Sequence, residues 1–395
     1  MTRLVHITTS DISLELLLGA ELRAFRDAGY EVHAASQTGP YVAGLEADGI
    51  VHHPLTHSTR AMAPTHDVRA IGEVRRLLVE LRPDIVHTHN PKSGIFGRLG
   101  ARWAQVPVIV NTVHGLYAQP EDRLAKRAVV YGLERLASTC SDVELVVSPE
   151  DVEVLRRLRI PASKIELPGN GVDLARFSPE RPDADTIRRG VRDDLGFESD
   201  DVVCGAVGRL VVEKGFRELI DAAGRLRSSH PHLRFVIVGP EDPSKADALT
   251  PADLARAAEA GIVLTGSRSD VERLYLAMDL FVLASWREGF PRAAMEAVAS
   301  GLPVVTTDVR GCRLVVDRDV SGRLVPVRDP HALADAIGDL ADDGDLRARM
   351  SAAALAKAHS EFDERRVIGR VLAVYERELQ RAGRPLPVAV DLDGR

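Results

Sequence analysis

Cysteine is scarce. Cys140, Cys204 and Cys312 are the only three in 395 residues, they lie far apart, and they form no CxxC pair. A disulfide framework and a zinc ribbon are thereby excluded. Long apolar runs are missing too. The most apolar stretches, such as Val106–Val113, fall far short of the roughly 20 residues that cross a bilayer. No segment is expected to span a membrane, which leaves peripheral attachment as the membrane contact to test. The opening MTRLVHITTS runs straight into a strand-like segment, with no basic n-region, apolar h-region and small-residue cleavage site. No signal peptide is read, and a cytoplasmic protein is expected. Positive charge is not in excess: 51 Lys and Arg stand against 58 Asp and Glu, a formal net charge of −7, which argues against a nucleic-acid partner. The dinucleotide fingerprint is also absent. The nearest glycine set, Gly205-x-x-Gly208, is not G-x-G-x-x-G, so a tandem Rossmann dehydrogenase lacks its signature.

What is present is an ordinary globular composition, 45% hydrophobic and 28% charged, long enough for two to three domains of about 150 residues. Short Val/Ile-rich runs alternate with stretches of helical spacing, the pattern of βα units and parallel sheets. The first series predicts strands near Leu4–Thr9, Glu31–Ser36, Asp84–His89, Val108–His114 and Val143–Ser148, with helices such as Leu14–Ala28 and Asp67–Leu81 between them. A Gly/Pro/Asn cluster at Leu167–Gly171 and a polar stretch around Ser178–Asp185 read as the linker. The second series predicts strands near Val202–Gly208, Leu233–Gly239, Ile262–Gly266, Leu280–Ala284 and Pro303–Thr307. From about Pro330 the pattern is helical, over Ala334–Leu340, Leu346–His359 and Asp363–Gln380, and a loose tail begins near Pro385. Open α/β sheets bind ligands outside the carboxyl ends of their strands, and two such edges facing each other across a cleft suit a two-substrate reaction.

The most informative segment is Ser285-Trp286-Arg287-Glu288-Gly289-Phe290-Pro291-Arg292-Ala293-Ala294-Met295-Glu296. Glu288 falls in a loop just after a strand, as Gly289 and Pro291 require, and Glu296 on the helix that Pro291 starts. The two carboxylates therefore come from different elements. The amides of Gly289 and Phe290 lie near a helix N-terminus, where free donors and partial positive charge favour an anion or a sugar hydroxyl. Spacing alone is equally compatible with a capped surface helix that carries stray glutamates.

The longer run FVLASWREGFPRAAMEAVASGLPVVTT resembles the Glu-x7-Glu signature of the family 4 retaining glycosyltransferases, which share the two-domain GT-B fold. Gly208-Arg209-Leu210-Val211-Val212-Glu213-Lys214-Gly215 looks like that family's GRL-x-x-EKG loop, and Asn170-Gly171-Val172-Asp173 with Phe177 resembles its interdomain crossing. In the first half, His87-Thr88-His89-Asn90-Pro91-Lys92-Ser93-Gly94 and Asn111-Thr112-Val113-His114-Gly115-Leu116 are similar to the branch that builds capsule, O-antigen and related bacterial surface glycans. The resemblance runs to about Glu378. It implies an α/β protein of GT-B architecture: an acceptor-binding domain over 1–170 joined by a C-terminal helix near 362–384, a nucleotide-sugar-binding domain over 171–361, and a tail over 385–395.

The same resemblance assigns roles. Arg209 and Lys214, with Gly208 at the start of their loop, would hold the donor diphosphate, and charge-assisted contacts are what a pyrophosphate leaving group needs. Glu296 would bind the ribose hydroxyls. Glu288 and the backbone of Gly289, Phe290 and Pro291 would read the donor sugar, while Ser267, Arg268 and Val271 would lie near the base. His114, at a strand end, resembles the family histidine that contacts the donor sugar. His87 and His89 alternate onto one strand face, but with no third ligand apparent a metal is not expected. No Asp-x-Asp stands at a strand end either: Asp317-Arg318-Asp319 and Asp391-Leu392-Asp393 fall in a loop and in the tail. Transfer without a metal or other cofactor follows, by a front-face route in which the departing phosphate takes the acceptor proton, unlike the double displacement of retaining glycosidases. Two departures from the family stand out. Ser10-Asp11-Ile12-Ser13 replaces a double glycine after the first strand, and Leu314 replaces a glutamate after Gly311-Cys312-Arg313.

The branch acts on sugars linked to a polyprenyl diphosphate, and the resemblance implies UDP donors in preference to GDP or dTDP, so the first domain is expected at the inner face of the membrane. Arg69, Arg75, Arg76 and Arg82 cluster around one helix, and Arg98, Arg102, Arg123, Lys126, Arg127 and Arg135 follow in the next two, where basic faces attract anionic headgroups. A small natural-product acceptor remains open. So does a UDP-N-acetylhexosamine 2-epimerase on the same architecture, which the EKG loop and the Glu288/Glu296 pair disfavour, and a non-catalytic nucleotide-sugar sensor.

Overall fold

The structure is a computed structural model that describes residues 1–58, 64–89, 91–116, 118, 122–243 and 245–388. The chain divides into two compact units, Met1–Gly169 with Arg366–Arg395, and Asn170–Arg365. Each is built on one parallel sheet.

In the first unit β1 (Arg3–Ser10), β2 (Glu31–Gln37), β3 (Val51–Pro54), β4 (Ile85–His89), β5 (Val108–Val113), β6 (Val143–Val146) and β7 (Ile165–Glu166) stand in the order β3-β2-β1-β4-β5-β6-β7. In the second, β8 (Val202–Val207), β9 (Leu233–Val238), β10 (Ile262–Gly266), β11 (Leu280–Leu283), β12 (Val304–Thr307) and β13 (Gly322–Val325) stand in the order β10-β9-β8-β11-β12-β13. Both orders reverse direction once, between β1 and β4 and between β8 and β11. Loops at such a reversal diverge to opposite faces and leave a crevice at the carboxyl edge. The motif loops after β8 and β11 meet at one of these points.

The strand faces are covered on both sides, as parallel sheets require. One face of the first sheet packs Leu4, Ile85, Val108 and Val110 against Leu14, Leu18, Leu22 and Phe25, and against Val371, Tyr375 and Leu379 of the C-terminal helix Glu364–Arg381. The other face packs Val5, Ile7 and Val86 against helices Pro64–Leu81 and Lys92–Trp103.

The helix expected over Leu14–Ala28 is two, Asp11–Leu16 and Gly19–Asp27. The amides of Leu17 and Leu18 both return to the Ser13 carbonyl, and this widened turn ends the first helix while Leu18 stays in the core. The edge strands β3, β7 and β13 were not anticipated, and the polar stretch read as linker runs into a helix at Ala184–Leu195. In the tail, the Thr2 hydroxyl donates to the Pro385 carbonyl at 3.0 Å, while 389–395, including Asp391-Leu392-Asp393, lie outside the described residues.

Arg98 does not belong to a basic surface. Helix Lys92–Trp103 lies so close to its neighbours that a Cβ on Gly97 would stand 2.6 Å from the Thr88 methyl and one on Gly100 2.7 Å from Val74. The intervening Arg98 is driven fully inside. Its guanidinium donates to Glu134 and Glu144 at 2.7 Å each and to the Gly94 carbonyl at 2.6 Å. Glu144 also accepts from Asn111 at 2.7 Å. Removing the cation from such a buried pair leaves two desolvated carboxylates, so Arg98→Met is expected to cost about 3–5 kcal/mol, measured by urea denaturation; a loss below about 1 kcal/mol contradicts this network.

Candidate functional site

In the second unit the site begins with two backbone approaches that only glycine permits. Gly215 adopts φ +73, and a Cβ there would stand 2.0 Å from the Ala284 carbonyl oxygen at the end of β11. A Cβ on Gly311 would stand 2.4 Å from the Gly289 carbonyl oxygen. The loop Gly208–Gly215 is thereby pressed onto the loop Ser285–Pro291. The Trp286 amide donates to the Glu213 carbonyl at 2.8 Å and its indole N–H to Glu218 at 2.9 Å, while Arg328 lies 3.9 Å over its ring.

The residues that the sequence singled out in this unit are distributed over several elements. Lys214 Nζ donates to Glu288 Oε1 at 2.6 Å, and both side chains are largely buried. Arg209 pairs with Asp242 at 2.7 Å, so Asp242, which carries no sequence signal, joins the set. Glu296 lies on helix Arg292–Ala299, for which Pro291 is the N-cap. Its carboxylate faces the Tyr275 hydroxyl at 3.0 Å and Arg292 Nε at 3.1 Å, and burial pushes its pKa above the usual carboxylate value. Phe290 packs edge-on against Phe362. Ser267 and Arg268 are exposed in the loop after the edge strand β10, where Arg268 pairs with Asp270 at 2.7 Å, and Val271 opens the next helix. Gly208 backs onto Gly239, whose missing Cβ leaves room for the Gly208 carbonyl. Leu314 is half-buried on helix Arg310–Val315. Asp317 and Asp319 face Lys357 and Arg323.

A larger cavity of about 360 Å³ lies at the opposite, amino edge of this sheet, lined by Met278, Asp279, Gly301 and Leu302. The motif loops do not line it.

The first unit carries a cavity of about 260 Å³ at its own reversal point, walled by Thr9, Ser10, Ser13, Lys92, His89 and His114. Lys92 pairs with Asp67 at 2.6 Å. Asn90 lies outside the described residues. Behind this cavity the core changes character. Along the face that starts with Leu4, Ile85 and Val108, the alternate positions toward the carboxyl end are His6, His87 and His89, and Thr112, with His114 following β5. The expectation that His87 and His89 have no third imidazole is corrected: His6 sits beside them, and their ligand atoms lie within 4.8 Å of one another. The register that pairs His6 with His87 is invisible in a single sequence. Burial lowers all four imidazoles, His6 to about 3, His114 to about 4, and His87 and His89 well below the ordinary value.

Residues 188–357 match the family model described as "Glycosyl transferases group 1", and residues 18–176 that described as "Glycosyltransferase Family 4". The UDP-Gal:alpha-D-GlcNAc-diphosphoundecaprenol alpha-1,3-galactosyltransferase of Escherichia coli is 32% identical over 70% of this chain and 71% of its own. The chain belongs to glycosyltransferase family 4. The D-inositol 3-phosphate glycosyltransferase of Xylanimonas cellulosilytica is another relative of this family 4 glycosyltransferase, 33% identical over 75% of this chain and 73% of its own. The fold agrees with that of Anabaena HepE in complex with UDP and glucose, at TM-score 0.80 and 20% identity over 95% of this chain and 100% of that one.

The histidines give this glycosyltransferase a pH signature. Between about pH 6.5 and the lowered values near 4 and 3 the unfolded chain binds protons that the folded chain does not. Stability therefore falls as pH drops through that window, by up to about 1.4 kcal/mol per pH unit for each histidine. Above pH 6.5 these groups contribute no slope. Asp142, Glu144, Glu296 and Glu364, shifted upward by burial, oppose the trend, while His52 and His53, lowered by burial, add to it. Urea midpoints at pH 7, 6 and 5 test this, and a flat series contradicts neutral buried imidazoles.

Proposed function

We propose that this family 4 glycosyltransferase moves a hexose or N-acetylhexosamine from a UDP-sugar to a polyprenyl-diphosphate-linked glycan in surface-polysaccharide synthesis, with retention and without a metal. The observation that carries the reading is the Lys214–Glu288 contact at 2.6 Å, made by the two family motifs at the sheet reversal. There a cation, a carboxylate and the N-terminus of helix Arg292–Ala299 converge.

Lys214 and Arg209 neutralise the charge that grows on the departing diphosphate, the task a divalent ion performs in metal-dependent transfer. Glu288 and the Gly289–Pro291 backbone hold the sugar, Glu296 the ribose, and Ser267 to Val271 the base. The acceptor approaches on the face from which the diphosphate leaves and gives its proton to the phosphate, so catalysis consists of positioning and charge stabilisation. UDP and a lipid diphosphate are supported by the donor and acceptor in the name of the Escherichia coli relative. A small polar acceptor is the second reading, favoured by the Xylanimonas relative.

Attachment to the membrane is supported by helix Leu124–Ala137, whose exposed face is apolar. Leu124 is 77% and Leu136 56% exposed, with Val129 and Leu133 between them. Arg123 and Arg135 flank this stripe, Arg102 and a 62% exposed Trp103 end the preceding helix, and Arg69, Arg75, Arg76 and Arg82 are exposed nearby in sequence. An apolar stripe edged by cations fits an anionic lipid surface.

Binding and slow hydrolysis over a panel of UDP-, GDP- and dTDP-sugars test the donor reading. One UDP-sugar is expected to bind and hydrolyse, and Lys214→Ala to lower turnover by about 10²–10³-fold; binding of none, or epimerisation of the sugar, overturns it. A polyprenyl-diphosphate glycan and an inositol phosphate offered in parallel then separate the two acceptor readings. In flotation assays the protein is expected to rise with vesicles of anionic phospholipid and not with zwitterionic ones, and the Leu124→Asp/Leu136→Asp variant to stay behind. Equal flotation of that variant removes the helix from the membrane contact.

A further inference from the structure

Three buried imidazoles, His6, His87 and His89, and the half-buried His114 belong to one hydrogen-bonded chain that reaches the cavity. His114 Nε2 lies 3.0 Å from His89 Nδ1, and His89 Nε2 lies 3.1 Å from His6 Nδ1. His6 Nε2 lies 3.5 Å from the Tyr375 hydroxyl, which is 2.5 Å from His87 Nδ1, and His87 Nε2 lies 2.6 Å from the Thr112 hydroxyl. Tyr375 comes from the C-terminal helix, 261 positions beyond His114 in the chain. Its ring is fixed by Phe25 at 5.2 Å and Tyr30 at 5.9 Å.

Nitrogen pairs at 3.0–3.1 Å require one donor and one acceptor each, and a neutral imidazole owns one of each. The single proton of Tyr375 therefore sets the whole arrangement. The hydroxyl stands 2.5 Å from His87 and 3.5 Å from His6, and the shorter contact is assigned as its O–H donation, to His87 Nδ1, which makes it the acceptor from His6 Nε2. His87 then donates from Nε2 to Thr112. His6 Nδ1 is left to accept, so His89 donates from Nε2. His89 Nδ1 in turn accepts, and His114 donates from its own Nε2. Every ring in the chain is the Nε2–H tautomer. A metal held by His6, His87 and His89 would need these same nitrogens, which are already committed to one another and to Tyr375 and Thr112.

We infer that Tyr375 is a positioning residue whose hydroxyl, through His6 and His89, fixes His114 as the Nε2–H tautomer and leaves its Nδ1 an acceptor. This rests on the proposed role of His114 at a sugar substrate only for its catalytic consequence: a sugar hydroxyl that meets Nδ1 must donate to it. The first unit thereby uses its C-terminal helix, remote in sequence, to choose the hydrogen-bonding sense of a cavity residue.

The test is a long-range ¹H–¹⁵N correlation spectrum of ¹⁵N-histidine-labelled full chain without substrate, with His114→Gln identifying the His114 signals. Wild type is expected to show His114 as the Nε2–H tautomer, and Tyr375→Phe, which keeps the ring and its packing, a mixture of tautomers. In that variant kcat falls at least about tenfold with little change in KM. An Nδ1–H His114 in wild type, or an unchanged His114 tautomer in Tyr375→Phe, overturns the inference. So does stoichiometric zinc retained by the purified protein with His6, His87 and His89 signals shifted. If Tyr375→Phe does not fold, the wild-type spectrum still decides, and His6→Gln provides a second break in the same chain. The tautomer is read without donor or acceptor, so its failure is separate from failure of the donor panel.

Discussion

The contact of Gly215 with the Ala284 carbonyl governs the second unit. A parallel sheet supplies a crevice wherever its strand order reverses, but a crevice becomes a site only when the loops on its two sides are brought within hydrogen-bond range. Here that closeness is a backbone-on-backbone approach, with no room for even a methyl group at position 215. From it follow the Trp286–Glu213 bond, the seating of the Trp286 indole on Glu218, and the placement of Lys214 against Glu288. The second approach, Gly311 against Gly289, holds the same loop from its other side.

The two cations of this site are each matched with a carboxylate, Lys214 with Glu288 and Arg209 with Asp242. In a partly buried position an unpaired lysine is costly, and the pairing with Glu288 aims its amine. On the proposed function, a diphosphate brought to Lys214 would share that cation with Glu288, whose other oxygen would serve a sugar hydroxyl. One carboxylate would then both aim the phosphate ligand and read the sugar, a coupling that neither motif explains when taken alone.

Much of this was legible in the chain. Ten strands fell where the Val/Ile runs stood, because buried parallel strands read as continuous apolar segments. The strands that escaped, β3, β7 and β13, are short edge elements such as Ile165–Glu166, with too few residues for a period to register. Gly215 and Gly311 mark the site loops because the backbone there leaves no room for a Cβ. What could not be read was anything carried by register. His6 meets His87 through a strand pairing, Asp242 meets Arg209 through the turn after β9, and Arg98 looked like one more surface cation until two glycines of its helix drew it inside.

The imidazoles of the first unit have a bearing on why that sheet is polar where it is. Near the amino end of the strands the covered face is Leu4, Ile85 and Val108, and two residues on it is His6, His87 and Val110. Apolar side chains at these positions would pack the same C-terminal helix without the cost of desolvating four imidazoles and a phenol. A polar core that is satisfied only as a connected whole tolerates few rearrangements, and here its members belong to β1, β4, β5 and the last helix. The carboxyl edge that walls the cavity is consequently tied to the seating of a helix contributed by the far end of the chain. A displacement of Tyr375 leaves His6 and His87, both fully buried, each short of a partner, so the seating of the C-terminal helix and the order of the cavity wall are one energetic event.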